Sequence, residues 1–266
     1  MDDRLPISVL LLARDERELL AGLLPGLGFA REIVVVVDSR GDLGLAELAR
    51  SHGARVFERA FDGFGPQRQF ALAQCTQPWV LWLDADEQLA AGARPALERA
   101  IALGSERIGV RIPRSTWFVG RRMRWSGWRG ETVVRLFTRA GASFDDAPVH
   151  ERLRIERGTI VTGLGGLEIE HHSYRSWADC VTKLQAYAAA NAEKAWRAGR
   201  RAGPLDVLVR PPLRFVRQYI LQLGVLDGAH GLVLCGLAAA QVFLKYAGLW
   251  DRTRRAKSGA RAGQAP

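Results

Sequence analysis

The stretch Trp79–Glu87, WVLWLDADE, runs five apolar residues into a cluster of three carboxylates. A continuous apolar run of that length fits a strand buried on both faces of a parallel sheet. Two similar runs lie upstream, ISVLLLA at Ile7–Ala13 and IVVVV at Ile33–Val37, and Arg55–Glu58 reads as a shorter strand. Helical spacing covers about Arg17–Leu24, Leu43–His52 and Pro66–Cys75, and then Ala90–Ala102 after the carboxylates. Strands alternating with helices predict βαβ units with right-handed crossovers, so residues 1–105 read as a doubly wound nucleotide-binding sheet.

Further along the chain the pattern changes. Residues 106–175 hold short β-like stretches, at Ile108–Ile112, Thr132–Phe137, Glu151–Ile155, Thr159–Val161 and Leu167–Glu170, broken up by glycine and arginine. No linker separates them from the first half, so 1–175 reads as one mixed-sheet domain. Residues 176–251 form a helical extension: Ser176–Arg201, Pro204–Leu223 and about Asp227–Trp250. Pro211-Pro212 predicts a break or kink in the second helix. Residues 228–244 are 17 positions without a formal charge. A membrane span needs about 20, which leaves a buried core helix or an interfacial helix. Residues 252–266, RTRRAKSGARAGQAP, read as a basic, disordered tail.

Composition narrows the class. The chain has 266 residues, 48% of them apolar, and a formal charge of +10, which excludes a disordered or collagen-like protein. Cys75, Cys180 and Cys235 show neither disulfide nor zinc spacing and fit a reducing compartment. The acidic start, Met1-Asp2-Asp3-Arg4, leads straight into a strand and gives no sign of a signal peptide. Charge is uneven: residues 1–100 carry −4 and residues 101–266 carry +14. Such asymmetry points to an anionic partner for the basic half. No aromatic RNA motif, zinc finger or basic-region heptad accompanies it, so a membrane or phosphorylated partner is favoured over nucleic acid.

The chemistry concentrates where apolar strands end, because ligands of open α/β sheets bind beyond the carboxyl ends of strands. Asp84 and Asp86 stand two apart there. Hard oxygen ligands so placed suit Mg²⁺ or Mn²⁺ bridging to a diphosphate, and equally a turn that caps a helix. Asp38, ending VVVVDS, fits a hydrogen-bond acceptor for ribose or base and equally an Asx-turn. Arg68 suits a diphosphate contact or a solvated helix face.

Together these segments resemble a known family. ISVLLLARDE, IVVVVDS and FDGFGPQRQFALAQCTQPWVLWLDADEQL resemble the nucleotide-binding half of a family 2 glycosyltransferase. IPRSTWFVGRRMRWSGW, RLFTR, Val149-His150-Glu151, HHSYRS and RPPLRFVRQYILQLGVLDGAHGLVL extend the likeness to the lipopolysaccharide core β-glucosyltransferase group, from about Ile7 to Trp250. The resemblance implies an α/β, GT-A-like nucleotide-binding mixed sheet flanked by helices, with a helical membrane-facing C-terminal extension. It places Ala13, Glu16 and Asp38 around the nucleoside and Arg68 near the diphosphate or base. Asp84 and Asp86 become the D-x-D, Asp86 the direct ligand of a divalent metal (Mg²⁺ or Mn²⁺), with His171 as an added metal or diphosphate contact. Glu151 becomes the catalytic base, with His150, Trp125 and Trp128 on the acceptor side. Two departures stand out: Asp15 where asparagine is usual, and SRGDLG after Asp38, where Asp42 is the candidate substitute for the usual loop acid.

The implied reaction is metal-dependent and inverting: a hexose, in first place glucose from UDP-glucose, passes to a lipopolysaccharide core or related envelope glycan. Metal and arginine offset charge on the departing diphosphate, and a carboxylate base assists the attacking hydroxyl. The same chemistry with another UDP-sugar or a capsular or lipid-linked acceptor remains the alternative, as does a non-catalytic nucleotide-sugar-binding membrane protein. Basic amphipathic segments with Lys194, Arg197, Arg200, Arg201, Arg210, Arg214 and Arg217 place the chain peripherally on anionic lipid, at the inner face of the cytoplasmic membrane.

Overall fold

The structure, a computed structural model, describes residues 3–42, 44–104, 106–145 and 152–262. It divides into two compact units, Met1–Ser115 with Gly130–His171, and Thr116–Arg129 with His172–Pro266. The second unit thus takes in Thr116–Arg129, which the sequence places with the acceptor half.

In the first unit, four strands lie parallel in the order β3 (Arg55–Arg59), β2 (Ala30–Asp38), β1 (Leu5–Ala13), β4 (Trp79–Leu83). Helices α1 (Arg17–Leu23), α2 (Gly44–Ser51) and α3 (Phe64–Gln74) connect them in turn. Beyond β4 come the short β5 (Glu87–Leu89), α4 (Arg94–Ile101) and β6 (Ile108–Phe118), the last continuing into the second unit. After the two-residue β7 (Arg121–Arg122) of the second unit come β8 (Thr132–Thr138), β9 (Ala142–Phe144), β10 (Leu153–Ile155), β11 (Thr159–Val161) and β12 (Ile169–Tyr174). β8 lies antiparallel between β4 and β6, β12 pairs antiparallel with β5, and β9 and β10 form a separate ribbon.

The apolar runs are strands because both sheet faces are covered. Alternate residues of β4 serve opposite cores: Trp79, Leu81 and Leu83 join the cluster that includes α1, α2 and α4 residues, while Val80 and Trp82 pack with Ala71 and Leu72 of α3. Strand order reverses at β1, between β2 and β4. That is the topological switch point at which such sheets bind ligands. The register sets Ala13 beside Val37 and Leu11 beside Leu83, so the ends of β1, β2 and β4 open on one edge.

The second unit is mainly helical: α5 (Trp177–Arg197), α6 (Pro204–Val216), a π turn at Arg217–Leu221 and α7 (Gly228–Ala262). Ser176 caps α5 by accepting from the Asp179 amide at 3.1 Å. Two sequence expectations change here. α6 runs through Pro211 and Pro212 without ending, and the irregularity follows as the π turn. Residues 252–262, expected as a disordered tail, continue α7 as helix, in keeping with their Ala, Arg and Lys content. β6 and β12 also run further than expected, to Phe118 and Tyr174.

Candidate active site

A cavity of about 160 Å³ opens at the ends of β1 and β2, walled by Ala13, Glu16, Asp38, Phe61, Phe64 and Gln67 among others. Three residues singled out from sequence, Ala13, Glu16 and Asp38, therefore share it. Asp38 is buried. Its Oδ1 accepts from the amides of Arg40 and Phe61, both at 3.1 Å, while its Oδ2 accepts no hydrogen bond among the described residues and lies 3.6 Å from Arg14 Nε. One oxygen thus makes the Asx-type turn and the other keeps its acceptor capacity. Burial pushes the Asp38 carboxyl up, but the two amides and the Arg40 guanidinium outweigh it and hold it below its ordinary value.

The loop after Asp38 is tied to β1 rather than to the cavity. Gly41 leaves no room for a side chain, since a Cβ there would sit 2.2 Å from the Arg14 carbonyl oxygen, and the Asp42 amide donates to that same oxygen at 2.8 Å. Asp42, the candidate substitute acid, is clamped by Arg17 through two bonds of 2.7 and 2.9 Å. With the Gly44 amide they hold its carboxyl down at about 2. Glu16 folds back to accept from the amides of Arg14 and Asp15, which fixes the turn between β1 and α1.

The carboxylates after β4 divide into two sets. Asp84 accepts from Arg68 at 2.9 Å on Oδ1 and from Arg135 at 2.5 Å on Oδ2. Glu87, fully buried, accepts from Arg135 at 2.8 Å and from Arg114 at 2.9 Å, and also receives the Asp84 amide at 3.2 Å. Both guanidinia lie over the Trp82 ring, Arg68 at 4.2 Å and Arg135 at 3.8 Å. Burial pushes the Asp84 carboxyl up, and Arg135 and then Arg68 more than reverse it. Asp86 Oδ2 lies 3.3 Å from His171 Nε2, because the β5–β12 pairing sets His171 opposite Glu87.

A divalent metal was expected on Asp84, Asp86 and His171. Among the described residues no group of three or more His, Cys, Asp or Glu side chains is assembled for one. Asp84 accepts one guanidinium hydrogen bond on each oxygen, which leaves each oxygen a further lone pair. Asp86 with His171 fits a two-donor site of carboxylate and imidazole, of the kind Mn²⁺ or Mg²⁺ completes with phosphate and water oxygens.

Arg135, Glu87 and Arg114 were not singled out in the sequence. The signal for Arg135 was a single cation inside the apolar strand TVVRLFT, which requires a buried acid nearby. His150 and Glu151 lie outside the described residues.

In the second unit, Trp128 stacks on Tyr174 with ring planes 9° apart and packs against the Phe118–Met123–Cys180–Leu234 core. It is half-buried and also lines a cavity of about 160 Å³ with Tyr174, Arg214 and Gln218. Trp125 is half-buried beneath the Arg129 guanidinium at 4.3 Å and borders a cleft of about 430 Å³ with Trp117, Arg121, Arg122 and Arg124. Buried Asp227 fixes this loop, accepting from the Arg124 and Trp125 amides and the Ser126 hydroxyl.

A cavity at the switch point beside strand-end carboxylates is where open α/β sheets bind ligands, and residues 17–147 match the sequence pattern of glycosyl transferase family 2. Residues 17–147 thus carry a glycosyltransferase family 2 domain. The chain is 27% identical over 260 residues to the lipopolysaccharide core biosynthesis glycosyltransferase LpsC of Rhizobium meliloti, covering 93% of this chain and 95% of that one. It is 22% identical over 261 residues to an uncharacterized glycosyltransferase of Rickettsia prowazekii, covering 95% and 89%. Among solved structures it is similar to S. aureus TarS 1–349 in complex with UDP-GlcNAc, at 13% identity and a TM-score of 0.43, covering 97% and 92%.

Proposed function

We propose that this glycosyltransferase passes a hexose, in first place glucose, from its UDP-sugar to a lipopolysaccharide core or related envelope glycan at the inner face of the cytoplasmic membrane. The observation that carries the donor half is a single one: the open Asp38 acceptor in a cavity at the switch point of a sheet whose next strand ends in Asp84 and Asp86. The name of the Rhizobium meliloti relative supports the acceptor half.

In this reading Asp38 Oδ2 accepts from the base imino or ribose hydroxyl group, and Phe61 and Phe64 cover the base. Asp86 and His171 would hold a divalent ion, which supplies positive charge against the leaving diphosphate. Arg135 and Arg68 keep Asp84 ionised and oriented, and so fix the turn that presents Asp86. Glu151 takes the proton of the acceptor hydroxyl as its oxygen attacks the anomeric carbon from the face opposite the diphosphate. The new C–O bond forms as the bond to UDP breaks, so the configuration inverts and no covalent enzyme intermediate arises. The cleft around Trp117 and Trp125 suits a phosphorylated saccharide, with aromatic faces for sugar rings and arginines for phosphate.

The test is UDP release by the intact chain across a panel of UDP-sugars, with Mg²⁺ or Mn²⁺ and a core-oligosaccharide acceptor. UDP release from one donor, abolished by Asp86→Ala and by EDTA, is the expected result. No release from any UDP-sugar overturns the donor assignment, and release unaffected by EDTA overturns the metal.

A further inference from the structure

α6 is amphipathic, but its apolar stripe points away from the protein. At about 100° per residue, Leu205, Leu208, Val209, Leu213 and Val216 fall within an arc of about 140°. Leu205, Leu208 and Leu213 are 74%, 72% and 61% exposed, and the side that α6 buries is that of Pro211. Further apolar residues are exposed at Ile220 and Leu221 and on α7 at Leu232, Val233, Phe243 and Leu244. A soluble monomer rarely exposes so long an apolar surface without using it. Exposed Arg210 and Arg217 and half-buried Arg214 run along one edge of the α6 stripe, and exposed Arg254, Arg255 and Lys257 follow at the end of α7. The second unit carries 19 Lys/Arg against 5 Asp/Glu, a net +14.

By length and hydropathy, Gly224–Ser258 is apolar enough to cross a membrane. Its neighbours argue against crossing. Glu193 of α5 pairs with Arg252, and Ala195 of α5 packs with Leu249. Arg210 of α6 lies 4.7 Å over the Tyr246 ring, and Cys180 of α5 packs with Leu234. A crossing α7 would drag into hydrocarbon the Asp179, Lys183, Glu193, Lys194 and Arg197 side chains of α5, and charged side chains are costly there.

We infer that the second unit is a monotopic anchor: α6 and the outward stripe of α7 lie flat in one leaflet of an anionic phospholipid bilayer, with the arginines at the phosphate level and no segment crossing. Such helices sink roughly 5–10 Å, to the boundary of headgroups and acyl chains. The inference rests on the membrane-side reading given above, yet its readout is lipid binding and not sugar transfer, so either can fail alone.

The experiment is flotation of the full chain with phosphatidylethanolamine–phosphatidylglycerol vesicles, and with phosphatidylcholine vesicles as control. Binding is expected to the anionic vesicles and to weaken as salt rises. Leu208→Asp with Leu213→Asp should reduce it at least tenfold, and Arg214→Gln with Arg217→Gln about tenfold or more. Leu208→Cys carrying an environment-sensitive dye reports insertion without a charged substitution, and a blue-shifted emission with anionic vesicles is expected. Unchanged binding by the Asp variant, or no dye response, overturns the anchor. Labelling of Lys257→Cys from the outer side of intact cell membranes by a membrane-impermeant maleimide overturns the flat arrangement in favour of a crossing helix. A dimer that the Asp variant converts to monomer with vesicle binding intact assigns the face to a second copy of the chain.

Discussion

The two units use the same kinds of residue in opposite ways. In the sheet unit, arginine goes inside: Arg68 and Arg135 are buried, and each pairs with acid at the end of β4. In the helical unit, leucine goes outside and arginine stays at the surface beside it. The sheet unit carries 19 Lys/Arg against 23 Asp/Glu, a net −4, so its cations can be matched by acids, whereas the +14 of the helical unit cannot be matched from within. Net charge by itself therefore says little about a unit. What decides is whether each charge has an opposite charge on its own side of the fold.

The largest effect should come from the proposed base. Glu151→Gln should lower transfer by about 10²–10⁴-fold while leaving UDP affinity unchanged. Single-turnover transfer beside a UDP titration checks this, and unimpaired turnover removes Glu151 as base. The comparison of arginines is sharpest in stability. Arg135→Met leaves Asp84 and buried Glu87 short of a cation and should cost about 3–5 kcal/mol in urea unfolding. Arg217→Gln should stay within about 0.5 kcal/mol, as surface changes do. Similar losses for both would break the distinction drawn between the units. Asp86→Asn, which keeps the size of the side chain, should lower transfer by about 10²–10³-fold with little change in unfolding midpoint.

The smallest effect is in acid. Asp42 has a carboxyl depressed to about 2 by Arg17. A carboxylate whose folded value is depressed adds stability above its unfolded value, about 3.9, and loses that stability as pH falls through the folded value. Removing the clamp with Arg17→Ala should therefore move the acid-unfolding midpoint to higher pH, with the difference from the parent chain disappearing between about pH 4 and pH 2. Circular dichroism over an acid titration checks it, and coincident curves would show the clamp to be idle.

What the sequence made legible follows from how local each signal is. β1, β2 and β4 were visible as apolar runs because burial on both faces removes the alternation that a half-exposed strand would show. Asp38, Asp84 and Asp86 were visible because they stand at the ends of those runs. The partners of these acids were not, because they arrive through non-local pairing: Arg135 on β8 beside β4, and His171 on β12 opposite β5. The ion pairs of Asp84 were hidden for the same reason, since Arg68 and Arg135 reach it from distant segments. The stacking of Trp128 on Tyr174 was hidden too, because it depends on where β12 ends. The helical run of residues 252–262 was hidden by its charge, which resembles a tail even where alanine, arginine and lysine favour helix.

The adjacent prolines in α6 also constrain depth. Pro211 and Pro212 have no N–H, so the carbonyls of Val207 and Leu208 cannot receive the bonds that a helix normally supplies four residues on. Water can serve both oxygens in the headgroup region, but nothing in hydrocarbon can, and each would cost several kcal/mol there. In the monotopic arrangement inferred above, the pair would work as a depth gauge, letting α6 sink only as far as water still reaches its middle turn.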